Sequence, residues 1–180
     1  MILTMDELLK AAAFEKKHTI AVACAQGTEV LRAVWTAHRA GIAEAILVGD
    51  EEKIHKAADA SKLSLNSFSI VHESDRKAAC WKAISLIREG KASALMKGTV
   101  DTAVLMRAVL DRSKGLRGTS LLSHVALLDL RRLERPLLLT DAALNIAPVL
   151  EEKKKILANA VRVAHALGNP SPIVACLCAV

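Results

Sequence analysis

Two kinds of hydrophobic segment alternate along the chain. Short unbroken apolar runs predict buried strands, over residues 19–25, 45–48, 68–71, 94–96, 137–139 and 173–180. Apolar residues that recur every three or four positions predict helices between them, over residues 5–17, 28–41, 51–61, 74–88, 102–111 and 151–167. Thr28 and Ser74 are the expected caps of two of these helices. Because strands alternate with helices, we expect right-handed βαβ crossovers in an α/β protein of three αβα layers, with a mostly parallel sheet.

The predicted strand 94–96 runs into Lys97, Gly98 and Thr99, just before a predicted helix. A helix start offers backbone N–H groups and a positive dipole end, and the lysine adds a cation. We expect an anionic ligand, most simply a phosphate, to bind there. Thr102 at the helix start and Arg107 further along it are candidate phosphate ligands. Each of these residues also has an ordinary structural interpretation, since a helix cap or a solvated arginine has the same sequence.

A second group of polar residues follows two apolar segments. Ser123 and His124 lie within the apolar segment 121–130, and Asp141 and Asn145 follow the strand 137–139. Hydroxyl and imidazole groups are possible donors to a phosphoryl or carbonyl oxygen, so Ser123 and His124 are candidate catalytic residues. Asp141 is the third, because a carboxylate at a strand end can orient a substrate or a partner side chain, and Asn145 is a candidate substrate-binding residue beside it. No G-x-S-x-G turn surrounds the serine, which disfavours a serine nucleophile. The alternatives are a structural histidine and an aspartate that caps the turn before Pro148.

Composition restricts the class of protein. The chain has 180 residues, 52% of them hydrophobic, enough for one domain or for one domain and part of another. No apolar run reaches the ~20 residues of a membrane span, and the N-terminus does not resemble a signal peptide, so we expect a cytoplasmic protein. The cysteines have no zinc-site spacing and are expected to be reduced, buried thiols, at positions 24, 80, 176 and 178.

Charge and motif content disfavour two other functions. The net charge is +6, but the basic residues are dispersed and only 2% of the chain is aromatic, which leaves few platforms for stacking nucleic-acid bases. A basic surface also suits a polyanionic small molecule. The turn after the first strand, residues 24–28, has no G-x-G-x-x-G pattern, which disfavours a dinucleotide-binding oxidoreductase.

Three motifs in one order resemble a known family. They are LMKG at residues 95–98, LLSHVA at 121–126 and TDAALNIAP at 140–148, with GIAEAILVGD at 41–50 and further matches through residue 161. The chain resembles the phosphate acetyl/butyryltransferase family, and most closely its phosphate butyryltransferase branch. The resemblance extends over nearly the whole chain. Each motif alone is weak, and their combination is specific.

The resemblance implies a fold, an activity and a set of partners. The fold is two-lobed and like that of isocitrate and isopropylmalate dehydrogenases, with residues 1–140 in the first lobe and residues 141–180 beginning the second. The activity is reversible transfer of a short acyl group between coenzyme A and inorganic phosphate, without a metal. Acyl-CoA, phosphate and acyl phosphate are the implied ligands, and a homodimer or larger oligomer is the implied assembly. Nucleic acid and membranes are not implied.

Members of that family are longer than this chain. A core strand predicted at residues 173–180 has no following helix to cover it, so we expect a partial chain with a truncated second lobe. The resemblance implies that a Thr-Ser-Arg motif and an acidic residue lie beyond it, so that catalysis requires residues from outside this chain, for example from a second chain. The other interpretation of the chain end is a short domain that finishes in its last strand. The alternatives are a non-catalytic module that binds acyl-CoA or acyl phosphate, and an oxidoreductase on a similar scaffold.

Overall fold

The computed structural model describes residues 4–14, 18–116, 121–130, 133 and 135–177. The described helices are α1 (Met5–Phe14), α2 (Thr28–Arg39), α3 (Glu51–Ala60), α4 (Arg76–Arg88), α5 (Thr102–Val109) and α6 (Leu150–Ala166). The described strands are β1 (His18–Ala23), β2 (Ala43–Gly49), β3 (Ser69–His72), β4 (Ala94–Lys97), β5 (Val125–Leu128) and β6 (Leu137–Thr140). Contacts divide the chain into two compact units, residues 12–117 (the parallel-sheet unit) and residues 1–11 with 118–180 (the hairpin unit).

The sheet of the parallel-sheet unit has the strand order β3-β2-β1-β4, and all of its pairs are parallel. The chain builds β1, β2 and β3 outward in one direction and then returns to add β4 on the other side of β1. Residues 21–25 are fully buried, because a central parallel strand is covered on both faces. The predicted α/β class and mostly parallel sheet are confirmed.

Alternate residues of the sheet enter two separate cores. Ala21 and Ala23 face the core formed with α4 and α5, whereas Val22 faces the core formed with α2 and α3. The period of two along a strand sends neighbouring side chains to opposite faces. Helices therefore cover both faces of the sheet, which makes the three αβα layers.

Two helix caps differ from the expectation. Gly27 is the N-cap of α2, so Thr28 is its first helical residue. The N-cap of α4 is Asp75, whose carboxylate accepts a hydrogen bond from the Ala78 N–H at 2.8 Å. Ser74, one residue too early, does not cap α4. A cap requires an oxygen that reaches an N–H of the first turn, and the position of that first turn cannot be read from composition alone.

We expect Asp75→Ala to lower the free energy of unfolding by about 1 kcal/mol, because the Ala78 N–H loses its acceptor. Ser74→Ala is the matched control and is expected to change stability by less than ~0.5 kcal/mol. Urea denaturation of both variants measures the difference. Equal losses for the two variants would contradict the cap assignment.

The hairpin unit contains an antiparallel pair, β5 and β6, and the helix α6. The described residues between β5 and β6 include no helix, and the two strands pair antiparallel, unlike the strands of the parallel-sheet unit. Residues 172–177 form no strand, and Ile173 is 97% exposed, so the predicted last strand is wrong over these residues. A strand requires the backbone groups of a neighbour, and the described part of the hairpin unit pairs none with this run. Residues 178–180 lie outside the described residues. The lobe boundary at residue 140 stays a prediction.

The cysteines agree only in part with the expectation. Cys24 and Cys80 are buried free thiols, whereas Cys176 is exposed, and Cys178 lies outside the described residues. Burial, followed by the neighbouring Cys80 thiol, raises the pKa of Cys24 to about 11. Cys24 is therefore protonated at neutral pH and is a poor nucleophile. No helix that the structure describes is long and apolar enough to cross a membrane.

Candidate functional site

The strand order predicts a ligand crevice beyond the carboxyl ends of β1 and β4. Connections from these two neighbours leave in opposite directions, and ligands of open α/β sheets bind at such a switch point, beyond the carboxyl ends of the strands. The turns that follow β1 and β4, residues 24–27 and 98–101, lie there. We call them the switch-point turns. Lys97, the last residue of β4, lies at the same edge.

Two backbone contacts join the switch-point turns. The Gly98 N–H donates to the Ala23 carbonyl and the Thr99 N–H donates to the Cys24 carbonyl, both at 2.8 Å. The Thr99 hydroxyl also donates to Cys24 O, at 3.1 Å. The expectation that these two amides are free to bind phosphate is therefore wrong. The pairing of β4 with β1 continues through Gly98 and Thr99 and uses both donors.

Gly98 has a steric role. A Cβ atom at this position would lie 2.6 Å from the Ala23 carbonyl oxygen and would also overlap the Cys24 carbonyl. Real Cβ atoms do not approach backbone oxygens so closely. Glycine at position 98 therefore lets the turn after β4 lie directly against the end of β1.

The Lys97 ammonium lies over the turn that follows it. Its Nζ donates to the Val100 carbonyl at 3.1 Å and to the Gly98 carbonyl at 3.4 Å. Within the described ranges, no carboxylate forms an ion pair with it. Lys97 is exposed, so its charge is available to an anion that enters the crevice.

The helix after this turn begins as the sequence predicts. Asp101 is the N-cap of α5 and accepts from the Ala103 N–H at 2.7 Å. Thr102 is the first helical residue and is exposed. Arg107 lies in the last turn, but its side chain runs back along the helix, and its Nε donates to the Ala103 carbonyl at 3.2 Å. The predicted phosphate role of Arg107 stays a prediction.

In the hairpin unit, side chains hold the segment before β5. Asn159 Nδ2 donates to the Leu121 carbonyl at 3.1 Å and Asn145 Nδ2 donates to the Leu122 carbonyl at 3.0 Å. The Thr140 hydroxyl donates to the His124 carbonyl at 2.7 Å. Residues 121–124 have no regular secondary structure, so these contacts supply what a sheet or helix would otherwise provide.

Both carboxylate oxygens of Asp141 accept two hydrogen bonds each. Its carboxylate accepts from the backbone N–H groups of Leu144, Ala143 and His124, at 2.9, 3.0 and 3.2 Å, and from the Asn145 side chain. Burial raises the pKa of this carboxyl, but the hydrogen bonds outweigh burial and lower the pKa from 3.8 to about 2. A carboxylate of that strength is a poor general base. It fits a role in positioning the backbone of His124 and the turn before Pro148.

Ser123 has a specific partner. Asn159 Nδ2 donates to Ser123 Oγ at 2.7 Å, and the Arg162 guanidinium donates to Asn159 Oδ1. Ser123 is half-buried, while Arg162 is exposed. We call Ser123, Asn159 and Arg162 the Ser123 network.

Three buried side-chain atoms of the described residues have no hydrogen-bond partner, namely Gln26 Oε1, His38 Nδ1 and His124 Nδ1. His38 Nδ1 lies 3.0 Å from the Glu44 carboxylate, which leaves Gln26 Oε1 and His124 Nδ1. An orphaned buried acceptor or donor is costly unless water or a ligand meets it. His124 therefore fits the predicted donor role, and Gln26, in the first switch-point turn, becomes an additional candidate. No group of three or more metal-type ligands is found among the described residues.

The predicted site residues fall into two groups. Lys97, Gly98, Thr99, Thr102 and Arg107 come together in the parallel-sheet unit, and Ser123, His124, Asp141 and Asn145 come together in the hairpin unit. Sequence reasoning missed three residues of interest, Gln26, Asn159 and Arg162. The available signal for Gln26 was an amide in a turn directly after a buried strand, whereas no sequence signal marked Asn159 or Arg162.

Comparison with known proteins identifies the family. The phosphate acetyl/butaryl transferase family matches residues 3–82 and 76–180. The chain is 43% identical over 180 residues to a phosphate butyryltransferase of Clostridium acetobutylicum, which covers 100% of this chain and 60% of that protein. It is 43% identical to a probable phosphate butyryltransferase of Bacillus subtilis, over 98% of this chain and 58% of that protein. The chain belongs to the phosphate acetyl/butaryl transferase family and spans about 60% of the length of these relatives.

Solved structures agree with this assignment. A branched-chain phosphotransacylase from Enterococcus faecalis matches 84% of this chain and 52% of that chain, with 31% identity and a TM-score of 0.69. A phosphotransacetylase from Streptococcus pyogenes matches 92% of this chain and 60% of that chain with a TM-score of 0.77. The latter is 19% identical, so it supports the fold alone.

Proposed function

We propose that this chain is part of a cytoplasmic phosphotransacylase that moves a butyryl or acetyl group between coenzyme A and inorganic phosphate. The family match over nearly the whole chain carries the proposal. In the acyl-phosphate direction, the thiol sulfur attacks the acyl carbon and loses its proton. The carbon–oxygen bond to phosphate then breaks, and the departing phosphate keeps the electron pair and takes up a proton, so that acyl-CoA and inorganic phosphate are formed. A homodimer or larger oligomer and a metal-free reaction belong to the same proposal.

Each of the two groups of predicted site residues receives a role in this proposal. Lys97, Thr102 and Arg107 neutralise and orient the phosphate, while Gly98 and Thr99 shape the turn that holds Lys97. Ser123 and His124 donate hydrogen bonds to the phosphoryl oxygen or to the oxyanion that forms on the acyl carbon. Such donors accelerate acyl transfer because they stabilise charge that develops in the transition state. Asp141 and Asn145 keep Ser123 and His124 in place.

The second candidate is a module that binds acyl-CoA or acyl phosphate without turnover. This candidate is favoured because the Asp141 carboxylate already accepts four hydrogen bonds. Asp141 is the carboxylate among the predicted site residues of the hairpin unit, and it is not free to accept the thiol proton. Release of coenzyme A thiol from butyryl-CoA, measured with and without inorganic phosphate, separates the candidates. Phosphate-dependent release supports the transacylase. Saturable binding without release supports the module or an inactive fragment of the transacylase. Failure of both butyryl-CoA and inorganic phosphate to bind would contradict all of these candidates.

We expect Lys97→Met to weaken the binding of inorganic phosphate by about tenfold or more, because a charge-assisted hydrogen bond contributes roughly 1.5–3 kcal/mol. Lys91→Met is the matched control, since Lys91 is an exposed lysine paired with Glu89 at 2.8 Å. Calorimetric titration with phosphate measures both variants. A Lys97 variant that binds phosphate like the control would remove Lys97 from the site.

A further inference from the structure

The hydroxyl of Ser123 receives a hydrogen bond from a side-chain amide on the helix α6. Asn159 lies in the middle of α6, and its Nδ2 is 2.7 Å from Ser123 Oγ. The same amide group donates to the Leu121 carbonyl at 3.1 Å. Both Nδ2 hydrogens therefore point to the segment that carries Ser123, and α6 is fastened to that segment at two atoms.

The orientation of the Asn159 amide is determined by its surroundings. A backbone carbonyl accepts but never donates, so Leu121 O requires the NH2 side of the amide. A guanidinium donates but never accepts, so Arg162 requires the oxygen side. A flipped amide would oppose oxygen to oxygen at Leu121 and NH2 to guanidinium at Arg162. The network thus fixes the assignment on chemical grounds.

This orientation has a consequence for the hydroxyl of Ser123. One lone pair of Oγ is occupied by the Asn159 N–H, and the hydroxyl hydrogen cannot point at an NH2 group that already donates. The hydrogen is left to donate elsewhere. A ligand without hydrogens on its facing oxygens, such as a phosphate dianion or an acyl-phosphate oxygen, fits this arrangement.

We propose that Asn159, held by Arg162, is a positioning residue that commits the Ser123 hydroxyl to donate to an anionic ligand oxygen. This inference rests on the proposed function and deepens it, since it makes the Ser123 network selective for acceptor oxygens. Asn159 acts through Ser123 and needs no contact with the ligand.

The test replaces the donor by an acceptor of the same shape. In Asn159→Asp, the carboxylate accepts from Ser123 and turns the hydroxyl hydrogen away from the ligand. We expect inorganic phosphate and butyryl phosphate to bind about tenfold more weakly to the full chain, as measured by phosphorus NMR titration. Asn169→Asp is the matched control, because Asn169 Oδ1 accepts from the Ser171 N–H and an aspartate can do the same.

A second background separates positioning from added charge. If Asn159 acts through the hydroxyl, Asn159→Asp weakens binding in the natural background but has little effect when Ser123→Ala is already present. Equal weakening in both backgrounds overturns the inference, because a negative charge alone then explains the loss. If the aspartate variant does not fold, Asn159→Ala decides in the same two backgrounds, since it removes the donor to Ser123 Oγ without adding charge.

The wild-type titration tests the proposed function separately. Binding of both phosphates by the wild type, with variants that bind equally well, overturns the role of Asn159 and leaves the proposed function standing. Absence of binding and of phosphate-dependent thiol release in the wild type overturns both. Weakening that disappears in the Ser123→Ala background supports both.

Discussion

Replacement of Asp141 by alanine is expected to destabilise the hairpin unit by about 3 kcal/mol or more. The carboxylate accepts four hydrogen bonds, three from backbone N–H groups and one from Asn145. Loss of a shared acceptor leaves several donors unsatisfied at once, which is among the mechanisms that give large mutational effects. The turn at residues 142–144 and the backbone of His124 both lose the group that fixes them.

The measurement must report on the hairpin unit. Both tryptophans of the chain, Trp35 and Trp81, lie in the parallel-sheet unit, so their fluorescence follows that unit. Amide NMR signals of β5, β6 and α6 report on the hairpin unit. The matched control is Asp129→Ala, which removes an exposed carboxylate of the same unit. Equal urea midpoints for the two variants would contradict the structural role of Asp141.

The stabilisation by Asp141 is also expected to depend on pH. Its pKa is lowered from 3.8 to about 2 in the folded protein, so the ionised form favours folding. This contribution is complete above the unfolded value of 3.8 and is lost as the pH falls toward 2. Across that interval, the wild type should lose more stability than Asp141→Asn, which has no proton to gain. Parallel pH profiles would show that the carboxylate is not preferentially stabilised by folding.

The fold was largely predictable because its strongest signals are local. Continuous apolar runs such as residues 19–25 predict strands buried on two faces, and the structure places β1 in the centre of the sheet. Helix ends were less predictable, since Ser74 and Asp75 are both good caps and only the position of the first turn distinguishes them. The run at residues 173–177 has the composition of a strand, but pairing depends on neighbours that composition does not specify.

The candidate site was predictable in its residues and less so in their contacts. Lys97 and Gly98 could be found because a strand that ends in Lys-Gly before a helix is a local pattern. The hydrogen bonds that occupy the Gly98 and Thr99 amides depend on the register between β1 and β4, which places Ala23 beside Lys97. Such pairing cannot be read from the sequence, because the partners Thr99 and Cys24 are 75 residues apart along the chain.

Asn159 shows the same limit in the hairpin unit. On a helical wheel it lies among the polar positions of α6 and is indistinguishable from a solvated amide. Its partner Ser123 is 36 residues away along the chain. Only the packing of α6 beside the segment before β5 gives that amide its role, and the packing of a helix is not encoded in any single position.

Gly98→Ala is expected to lower the free energy of unfolding of the parallel-sheet unit by about 3 kcal/mol or more. The added Cβ overlaps two backbone carbonyls, those of Cys24 and Ala23, and backbone cannot move aside as a flexible side chain can. Relief requires the turn after β4 to move away from β1, which breaks the hydrogen bonds of Gly98 and Thr99 to that strand. Urea denaturation followed by tryptophan fluorescence measures the loss.

Gly90→Ala is the control that separates crowding from backbone conformation. Gly90 has a positive φ of 71° and no atom within 4 Å of an added Cβ, so its replacement carries a conformational cost of about 1 kcal/mol and no overlap. A Gly98 variant no less stable than the Gly90 variant would contradict the close approach. A much less stable one would mean that Gly98 is needed first for packing β4 against β1. Its effect on phosphate binding would then follow from the displaced Lys97, because the Gly98 N–H already donates to Ala23.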